Sequence, residues 1–425
     1  MLPYEDKERK CDLDSRLLSF HGSLSKRLIA LSNQPKTVRR LEIMDERGLL
    51  MIPGPTNVDP AVLRSLSEPT LSHVSVDFAN ILKETVKDLG TIFKTQGVIL
   101  PLAGSGTLGA EVALSNIIEP DDKVLAISGG FFGDRLAETA GTLGAKVDRV
   151  EATWGSIPKL EEVERKLSQD DYKALLVVHV DTSTGTANPI RELGALAKSK
   201  DMLFLVDTVC SMGGMDVQVD NWGIDVCFTG SQKALAIPPG LTIVSFSKRA
   251  EEVREKRETP IRTYYGDLKR WKPIIQDPTS YFATHPVNMI YALHESCQRI
   301  LGEGLDARFA RHAKIASAFR AAMRAIGLKL LCEDENASNT LTVTRYPEKV
   351  NDLDFRKMLA GNFGVVTAGG LGTLKGKAFR VGHMGNVNRN DIFATIAGIE
   401  GCLASQGYGL ETGAGSAAAI HTLSG

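Results

Sequence analysis

LFLVD, at Leu203–Asp207, is one of five short apolar runs that alternate with helical stretches along this chain of 425 residues. The other four runs are KVLAIS at Lys123–Ser128, ALLVVHV at residues 174–180, VCFTG at Val226–Gly230 and LTIVSFS at residues 241–247. Amphipathic segments such as Ile190–Ser199 separate several of them. Strands that are apolar on both faces and separated by helices form sheets that are covered on both sides. The predicted fold class is therefore α/β, with a largely parallel sheet sandwiched by helices.

The alternation of apolar runs with helical stretches changes near residue 304. A long helix is predicted at residues 305–326. After it come two short strands, a helix, a glycine-rich turn, another strand and a last helix; the short strands are expected at residues 329–331 and 340–344. We therefore predict a large domain at residues 47–304 and a smaller C-terminal α/β domain at residues 305–408.

The two ends of the chain differ from the rest in composition. Residues 1–46 mix basic with acidic side chains and contain no apolar block, which argues against a targeting presequence. We expect a poorly ordered extension there. Residues 409–425 are rich in Gly, Ala and Ser, which favours a flexible tail.

The overall composition argues against several classes of function. The charges of the acidic residues (51) and basic residues (50) nearly cancel, so the chain has no excess of basic side chains for binding nucleic acid. The six cysteines form no CxxC pair and the eight histidines no HExxH pattern, which favours reduced thiols over a metal site. No apolar run approaches the ~18 residues that span a bilayer. We expect a cytoplasmic protein that binds no nucleic acid, no membrane and no metal.

Polar residues concentrate in the loops that follow the apolar runs, where ligands bind in open parallel sheets. Four such loops stand out: PLAGSGTLG at residues 101–109, VDTSTG at 180–185, VDTVCSMGG at 206–214 and TGSQKALAIPPG at 229–240. GSGTLG matches the GxGxxG pattern, in which glycines let backbone N–H groups approach a phosphate. That match fits a dinucleotide, any other phosphorylated ligand, or a plain tight turn.

Asp207 and Lys233 are more informative together than apart. An aspartate that ends a strand is common in α/β folds, and most lysines are solvated surface groups. Here the carboxylate is followed 26 positions later (233 − 207) by a loop lysine flanked by Ser231 and Gln232. The pair suits pyridoxal 5′-phosphate (PLP), which needs an amine to form a Schiff base, a carboxylate for its pyridine nitrogen and donors for its phosphate.

Longer stretches resemble the class V aminotransferases, on the branch of the alanine–glyoxylate and serine–glyoxylate (serine–pyruvate) enzymes. The matching text runs in register from about residue 48 to 408: IPGPTNVDP (52–60), AGSGTLGAEVAL (103–114), DTSTGT (181–186), LVDTVCSMGG (205–214), TGSQKALAIPPG (229–240), ATHPVNMIYALHES (283–296) and FRVGHMGN (379–386). The resemblance implies PLP fold type I and a homodimer with shared active sites. It also implies transfer of an amino group from a small amino acid, alanine or serine, to glyoxylate or pyruvate.

The same resemblance implies a role for each candidate site residue. Lys233 would carry PLP as a Schiff base and act as the catalytic base, and Asp207 would hold the pyridine nitrogen. The other residues expected to bind the cofactor are Ser105, Gly106, Thr107 and Gln232 at the phosphate, Phe132 on the ring, Thr182 at the phenolic oxygen, and Tyr281 and Thr284 reaching across the dimer. Arg380 would bind the substrate α-carboxylate through two parallel hydrogen bonds, with Pro53 and Gly54 at the edge of the pocket.

Two of these positions depart from the family pattern. Phe132 stands where the alanine–glyoxylate enzymes usually have Trp, so the ring can stack but has no indole N–H. Thr107 stands where that branch often has His, which puts its side-chain role in doubt while the backbone role survives.

Several other functions fit parts of the same sequence. Ureidoglycine–glyoxylate and 2-aminoethylphosphonate aminotransferases belong to neighbouring branches and stay open as alternatives. A nicotinamide oxidoreductase that uses GSGTLG, with Asp121 or Asp122 as the ribose acid, would leave Asp207, Lys233 and Arg380 unexplained. The presence of the same three residues argues against a non-catalytic PLP-fold subunit. A cysteine desulfurase-like lyase is rejected, because none of Cys297, Cys332 and Cys402 lies in a Gly/Ser-rich loop.

Overall fold

The computed structural model describes residues 48–424, so the extension predicted at residues 1–46 lies outside the described residues. The strands are β1 Leu49–Leu50, β2 Val98–Ala103, β3 Lys123–Ser128, β4 Lys146–Glu151, β5 Ala174–Val178, β6 Val180–Asp181, β7 Thr186–Ala187, β8 Leu203–Asp207, β9 Val226–Gly230, β10 Leu241–Phe246, β11 Leu341–Arg345, β12 Val365–Val366, β13 Ala368–Gly369 and β14 Ala378–Gly382. The helices are α1 Pro60–Leu66, α2 Val76–Phe93, α3 Gly106–Ile117, α4 Phe131–Thr142, α5 Leu160–Leu167, α6 Ile190–Ser199, α7 Lys248–Glu255, α8 Leu268–Gln276, α9 Val287–Glu303, α10 Leu305–Ala325, α11 Asp352–Phe363, α12 Arg389–Ser405 and α13 Ala414–Ser424.

The main sheet has seven strands in the order β2-β10-β9-β8-β5-β3-β4. Strands β9, β8, β5, β3 and β4 run parallel to one another, and β10 runs antiparallel to both of its neighbours. The predicted α/β class with a largely parallel sheet is confirmed.

Both faces of this sheet are covered. Every residue of β5, β8 and β9 is buried. Successive side chains of a strand point to opposite faces, and in β8 they enter two different apolar clusters. Phe204 and Val206 belong to one cluster, and Leu203 and Leu205 to the other. The sheet therefore lies between two cores, as expected for a sheet sandwiched by helices.

Strand order and direction bring the predicted site loops to one edge of the sheet. Asp207, at the end of β8, pairs with Val178 at the end of β5. Because β10 is antiparallel, its first residue, Leu241, lies beside Ala103 at the end of β2. The loops that carry Ser105, Lys233 and Asp207 therefore start from the same edge.

The C-terminal part contains an antiparallel sheet in the order β11-β14-β13 and a third apolar cluster shared by α10, α11, α12 and α13. The predicted strand at residues 340–344 is observed as β11, whereas residues 329–331 form a single bridge, between Leu330 and Thr344. The boundary predicted at residue 304 falls on Gly304, which joins α9 to α10. The division into two domains stays a prediction.

The flexible tail predicted at residues 409–425 is wrong for most of its length. Helix α13 packs there against α10, with Ala419 and Leu423 buried. The backbone N–H of Gly415 donates a 2.8 Å hydrogen bond to Oε1 of Glu400 on α12. The small residues that looked like a linker instead let this helix approach its neighbours closely. Among the described helices, none is long and apolar enough to cross a membrane.

Candidate active site

A cavity of about 210 Å³ lies at the edge of the main sheet where β5, β8 and β9 end. Eight of the residues predicted to bind a cofactor line it: Ser105, Gly106, Thr107, Phe132, Thr182, Asp207, Gln232 and Lys233. Four further residues complete the lining: Arg135, Val178, Val180 and Val209. The sheet edge thus gathers side chains that are up to 128 positions apart in the sequence (233 − 105).

Lys233 lies in the turn between β9 and β10, and its amine donates a hydrogen bond to the Pro53 carbonyl. Its backbone is fixed as well, since Thr56 Oγ1 donates to the Lys233 carbonyl at 2.9 Å. Gly54, with φ of 118°, passes so close that an added Cβ would lie 2.7 Å from Lys233 Cδ. The predicted pocket edge, Pro53 and Gly54, therefore contacts the lysine itself.

Asp207 is a buried carboxylate at the end of β8. Burial raises the pKa of Asp207 to about 6, although a hydrogen bond from the Val209 backbone N–H to Oδ1 (2.8 Å) opposes this. No salt bridge to Asp207 forms within residues 48–424. Such a group gains from a cationic partner in the cavity, and a protonated pyridine nitrogen is one.

The first turn of α3 forms one wall of the cavity. Ser105 precedes the helix, and its hydroxyl makes no capping hydrogen bond. An added Cβ on Gly106 would lie 2.9 Å from Val209 Cγ2, so the close approach requires glycine. Gln232 also lines the cavity, and its Oε1 is buried without a hydrogen-bond partner in the described chain. A helix N-terminus and a free hydroxyl suit a phosphate, and the Nε2 amide of Gln232 could add a donor, whereas its Oε1 can only accept.

Phe132 is held at the start of α4 by a residue that the sequence did not single out. The Asp181 carboxylate accepts hydrogen bonds from the backbone N–H groups of Phe132 (3.0 Å) and Gly133 (3.1 Å). The Arg135 guanidinium lies 4.5 Å from the Phe132 ring centroid, within the range of a cation–π contact. Asp181 stood in the quoted motif DTSTGT, but nothing in the sequence indicated that it fixes this ring.

Thr182, which lines the cavity, contacts Arg380 on β14. Arg380, on β14, donates from Nη1 to the Thr182 carbonyl (3.2 Å) and from Nε to the Gly369 carbonyl (2.8 Å). Burial lowers the pKa of Arg380 from its ordinary value, as expected for a guanidinium partly withdrawn from water. Thr182 Oγ1 shares a 2.7 Å hydrogen bond with Cys210 Sγ, a partner that sequence reasoning missed.

Of the residues predicted to bind the cofactor, Tyr281 and Thr284 do not line the cavity; the predicted substrate residues Pro53, Gly54 and Arg380 also lie outside its lining, although they contact Lys233 and Thr182. Tyr281 is 67% exposed and packs edge-on against His73, with 5.4 Å between the ring centroids. Thr284 is exposed as well. Within one chain neither side chain meets Lys233, so their predicted role depends on a second subunit.

The cavity fits PLP on the criteria that its chemistry sets. It offers an amine on Lys233, a buried carboxylate on Asp207, a ring on Phe132 and backbone and hydroxyl donors for a phosphate at the first turn of α3. These are the groups that a covalently held, phosphorylated pyridine requires.

Comparison with known proteins agrees with this geometry. Residues 53–385 match the family model described as aminotransferase class-V. A Methanocaldococcus jannaschii protein described as an uncharacterized aminotransferase is 40% identical over 361 residues, which cover 85% of this chain and 94% of that protein. The serine–glyoxylate aminotransferase of Methylorubrum extorquens is 35% identical, covering 89% and 96%. The crystal structure of the Bacillus subtilis ureidoglycine–glyoxylate aminotransferase superimposes with a TM-score of 0.85 at 33% identity, covering 89% and 98%.

Proposed function

The chain belongs to the class V aminotransferase family, and on that premise we propose that it uses PLP to transfer the amino group of a small amino acid, alanine or serine, to glyoxylate or pyruvate. The observation that carries this proposal is the convergence of Lys233, Asp207 and the first turn of α3 on one cavity. Glyoxylate is the favoured acceptor, because the names of the serine and ureidoglycine relatives share it while their donors differ.

Each wall of the cavity would hold a different part of the cofactor. Lys233 would bind it covalently, and Asp207 would pair with its pyridine nitrogen. Ser105, Gly106, Thr107 and Gln232 would bind the phosphate, Phe132 would stack on the ring, and Thr182 would donate to the phenolic oxygen. PLP, when bound, supplies an electron sink for the carbanion that forms at the amino acid's α-carbon.

Lys233 would move the proton in each half-reaction. The Nζ amine of Lys233, when free, would be the base that removes the proton from the substrate α-carbon. The Pro53 carbonyl accepts a hydrogen bond from this amine and so fixes its position. Asp207 would hold the cofactor's pyridine nitrogen and supply the negative charge that favours its protonated form.

Arg380 would set the orientation of the substrate. Two of its nitrogens are occupied by the Thr182 and Gly369 carbonyls, and Nη2 has no protein partner among the described residues. A guanidinium held in this way can bind an α-carboxylate with little further loss of freedom. Its position beside Thr182, itself a lining residue, would place that carboxylate at the cofactor.

We further propose that the active unit is a homodimer. Tyr281 and Thr284 are exposed in one chain, although the family resemblance places them at the phosphate of the other subunit's cofactor. Phe131, next to the cavity residue Phe132, is 41% exposed. A second copy that covers these aromatic side chains would close both active sites through one two-fold interface.

The test is an absorbance spectrum of the purified protein followed by a panel of amino donors. We expect a visible absorption band from bound PLP and amino transfer from alanine or serine to glyoxylate. A colourless protein that neither binds added PLP nor transfers an amino group would refute the proposal. Preference for ureidoglycine or 2-aminoethylphosphonate would keep the chemistry and replace the donor.

A further inference from the structure

Four side chains where α9 meets α10 form a hydrogen-bonded group that does not line the cavity. Glu303 ends α9, and the first turns of α10 carry Arg308, Arg311 and His312. We call these four residues the junction cluster. Arg308 and His312 are buried, and Glu303 and Arg311 are partly exposed.

Arg308 joins two of the loops that follow strands of the main sheet. Its Nε donates to the Gly213 carbonyl and its Nη2 to the Ala234 carbonyl, both at 2.7 Å. Its Nη1 donates to Glu303 Oε2 at 2.8 Å. Ala234 directly follows Lys233, and Gly213 lies in the loop that begins at Asp207.

Arg311 and His312 hold a third loop, which follows β14 and therefore Arg380. Arg311 donates to the carbonyls of Val387 (2.9 Å) and Gly385 (3.1 Å) and also pairs with Glu303. The Gly385 backbone N–H donates to His312 Nε2 at 2.9 Å. Both the carbonyl and the N–H of Gly385 are thus fixed from α10.

The protonation states support this arrangement. Burial, followed by the charges of Arg308 and Arg311, lowers the pKa of His312 to about 3, so the ring is neutral and Nε2 can accept. Partial burial of Glu303 would raise its pKa, but the hydrogen bond and charge of Arg311, together with Arg308, outweigh this and hold the pKa at about 2. The carboxylate therefore keeps both guanidinium groups in place over the usable pH range.

Only a planar guanidinium can make the contacts of Arg308. Its nitrogens point in fixed, different directions, whereas a lysine ammonium is one compact group that cannot reach both carbonyls at once. Buried carbonyls without donors are costly, so the two loops are held together by one side chain. The loop after Arg380 also lies close to the loop of Lys233, because an added Cβ on Gly385 would lie 3.5 Å from the Lys233 carbonyl.

We propose that the junction cluster is a positioning unit that holds the loops after Asp207, Lys233 and Arg380 in one fixed arrangement. Arg308 sets the lysine and aspartate loops, and Arg311 with His312 sets the loop behind the substrate arginine. This rests on the proposed function, since it assigns the three loops to cofactor and substrate. None of the four residues lines the cavity.

Two conservative substitutions separate the two halves of the cluster. Arg308→Lys keeps the charge beside Glu303 but loses at least one carbonyl contact, so kcat should fall roughly tenfold or more because the amine of Lys233 is displaced. The pH midpoint of the visible absorption band should shift, and in cofactor-free protein amide hydrogen exchange should speed up over residues 231–240. Arg311→Lys should mainly raise KM for the amino donor, by roughly tenfold, with a smaller effect on kcat.

Arg254→Lys is the matched control, because Arg254 is buried and donates two hydrogen bonds to Asp267, and neither residue lines the cavity or bonds to these loops. It should lower thermal stability and leave KM, kcat and exchange over residues 231–240 unchanged. If Arg308→Lys does not fold, the KM and kcat of Arg311→Lys test the proposal.

The outcomes are distinguishable from a failure of the proposed function. If both cluster variants lose stability as Arg254→Lys does while KM, kcat, the absorption midpoint and loop exchange stay at wild-type values, the cluster is structural and the proposal is overturned. A wild-type protein without PLP or amino transfer would refute the proposed function instead, and hydrogen exchange in the cofactor-free variants would still test whether Arg308 fixes the loop of Lys233.

Discussion

Replacement of Asp207 by asparagine should have opposite effects on the stability of the cofactor-free and the PLP-bound protein. Burial raises the pKa of Asp207 to about 6, from about 3.9 in an unfolded chain. Each unit of pKa difference corresponds to ~1.4 kcal/mol, so the ionised carboxylate destabilises the cofactor-free fold by on the order of 3 kcal/mol. Asparagine has nearly the same shape, can still accept from the Val209 N–H, and cannot ionise.

The sign of the pH dependence follows from proton binding. Between pH 4 and pH 6 the folded wild type retains a proton that the unfolded chain has already released, so its stability falls as pH rises through this window. The loss is complete above pH 6 and absent below pH 4. Cofactor-free Asp207→Asn should therefore be more stable than wild type at pH 8, by up to ~3 kcal/mol, and should have no such advantage at pH 4.

Urea unfolding of both cofactor-free proteins at several pH values measures this difference. Added PLP should reverse the order, because only the carboxylate gains an ionic partner in the pyridine nitrogen, and amino transfer by the variant should be slower by orders of magnitude. Asp267→Asn serves as the control: Asp267 is also buried, but its carboxylate accepts two hydrogen bonds from Arg254, so the change should destabilise the fold at pH 8. A stability difference between Asp207→Asn and wild type that does not vary with pH would refute the reasoning.

Four further substitutions, two of them combined, test the remaining roles. Lys233→Ala should abolish both the visible absorption band and amino transfer; a variant that stays yellow after dialysis and still turns over would show that Lys233 is not the anchor. Arg380→Ala should raise KM for alanine or serine by a factor equivalent to ~2–5 kcal/mol, since it removes one side of a desolvated ion pair; a near wild-type KM would contradict the carboxylate role. Tyr281→Phe with Thr284→Ala should weaken PLP binding and, in sedimentation, dimer formation without PLP; unchanged affinity, or a fully active monomer, would show that the sites are not shared.

The fold was predictable as far as local pattern determines it. The runs at Lys123–Ser128, Leu203–Asp207 and Val226–Gly230 form strands with the predicted bounds, because each is long enough to cross the sheet and is apolar on both faces. Helix α13 was missed because its Gly, Ala and Ser residues give no amphipathic pattern. Its stability depends on close contact with α10 and α12, which composition alone does not reveal.

The candidate site, like the fold, was predictable only where the local sequence carries the signal. Lys233 and Asp207 were identified because their chemistry is specific and each follows an apolar run. Asp181, Arg135 and Cys210 were not, since each acts on another site residue through a contact that depends on the folded arrangement. An aspartate that accepts from two backbone N–H groups, or an arginine that lies over an aromatic ring, can stand at any distance in the sequence from its partner. No sequence motif therefore reveals such a contact.

One feature of the sheet could have been predicted and determines where Lys233 lies. The loop from Gly230 to Leu241 has ten residues (231–240) and no helix, whereas a connection between parallel neighbours needs a dozen or more. A loop this short favours an antiparallel β10 beside β9, as observed. That direction returns the chain to the edge at which β9 ended, so Lys233 lies between the end of β9 and the start of β10. The same antiparallel strand brings Ala103, and with it the first turn of α3, next to the lysine. The loop length therefore constrains both the sheet topology and the meeting of amine and phosphate donors.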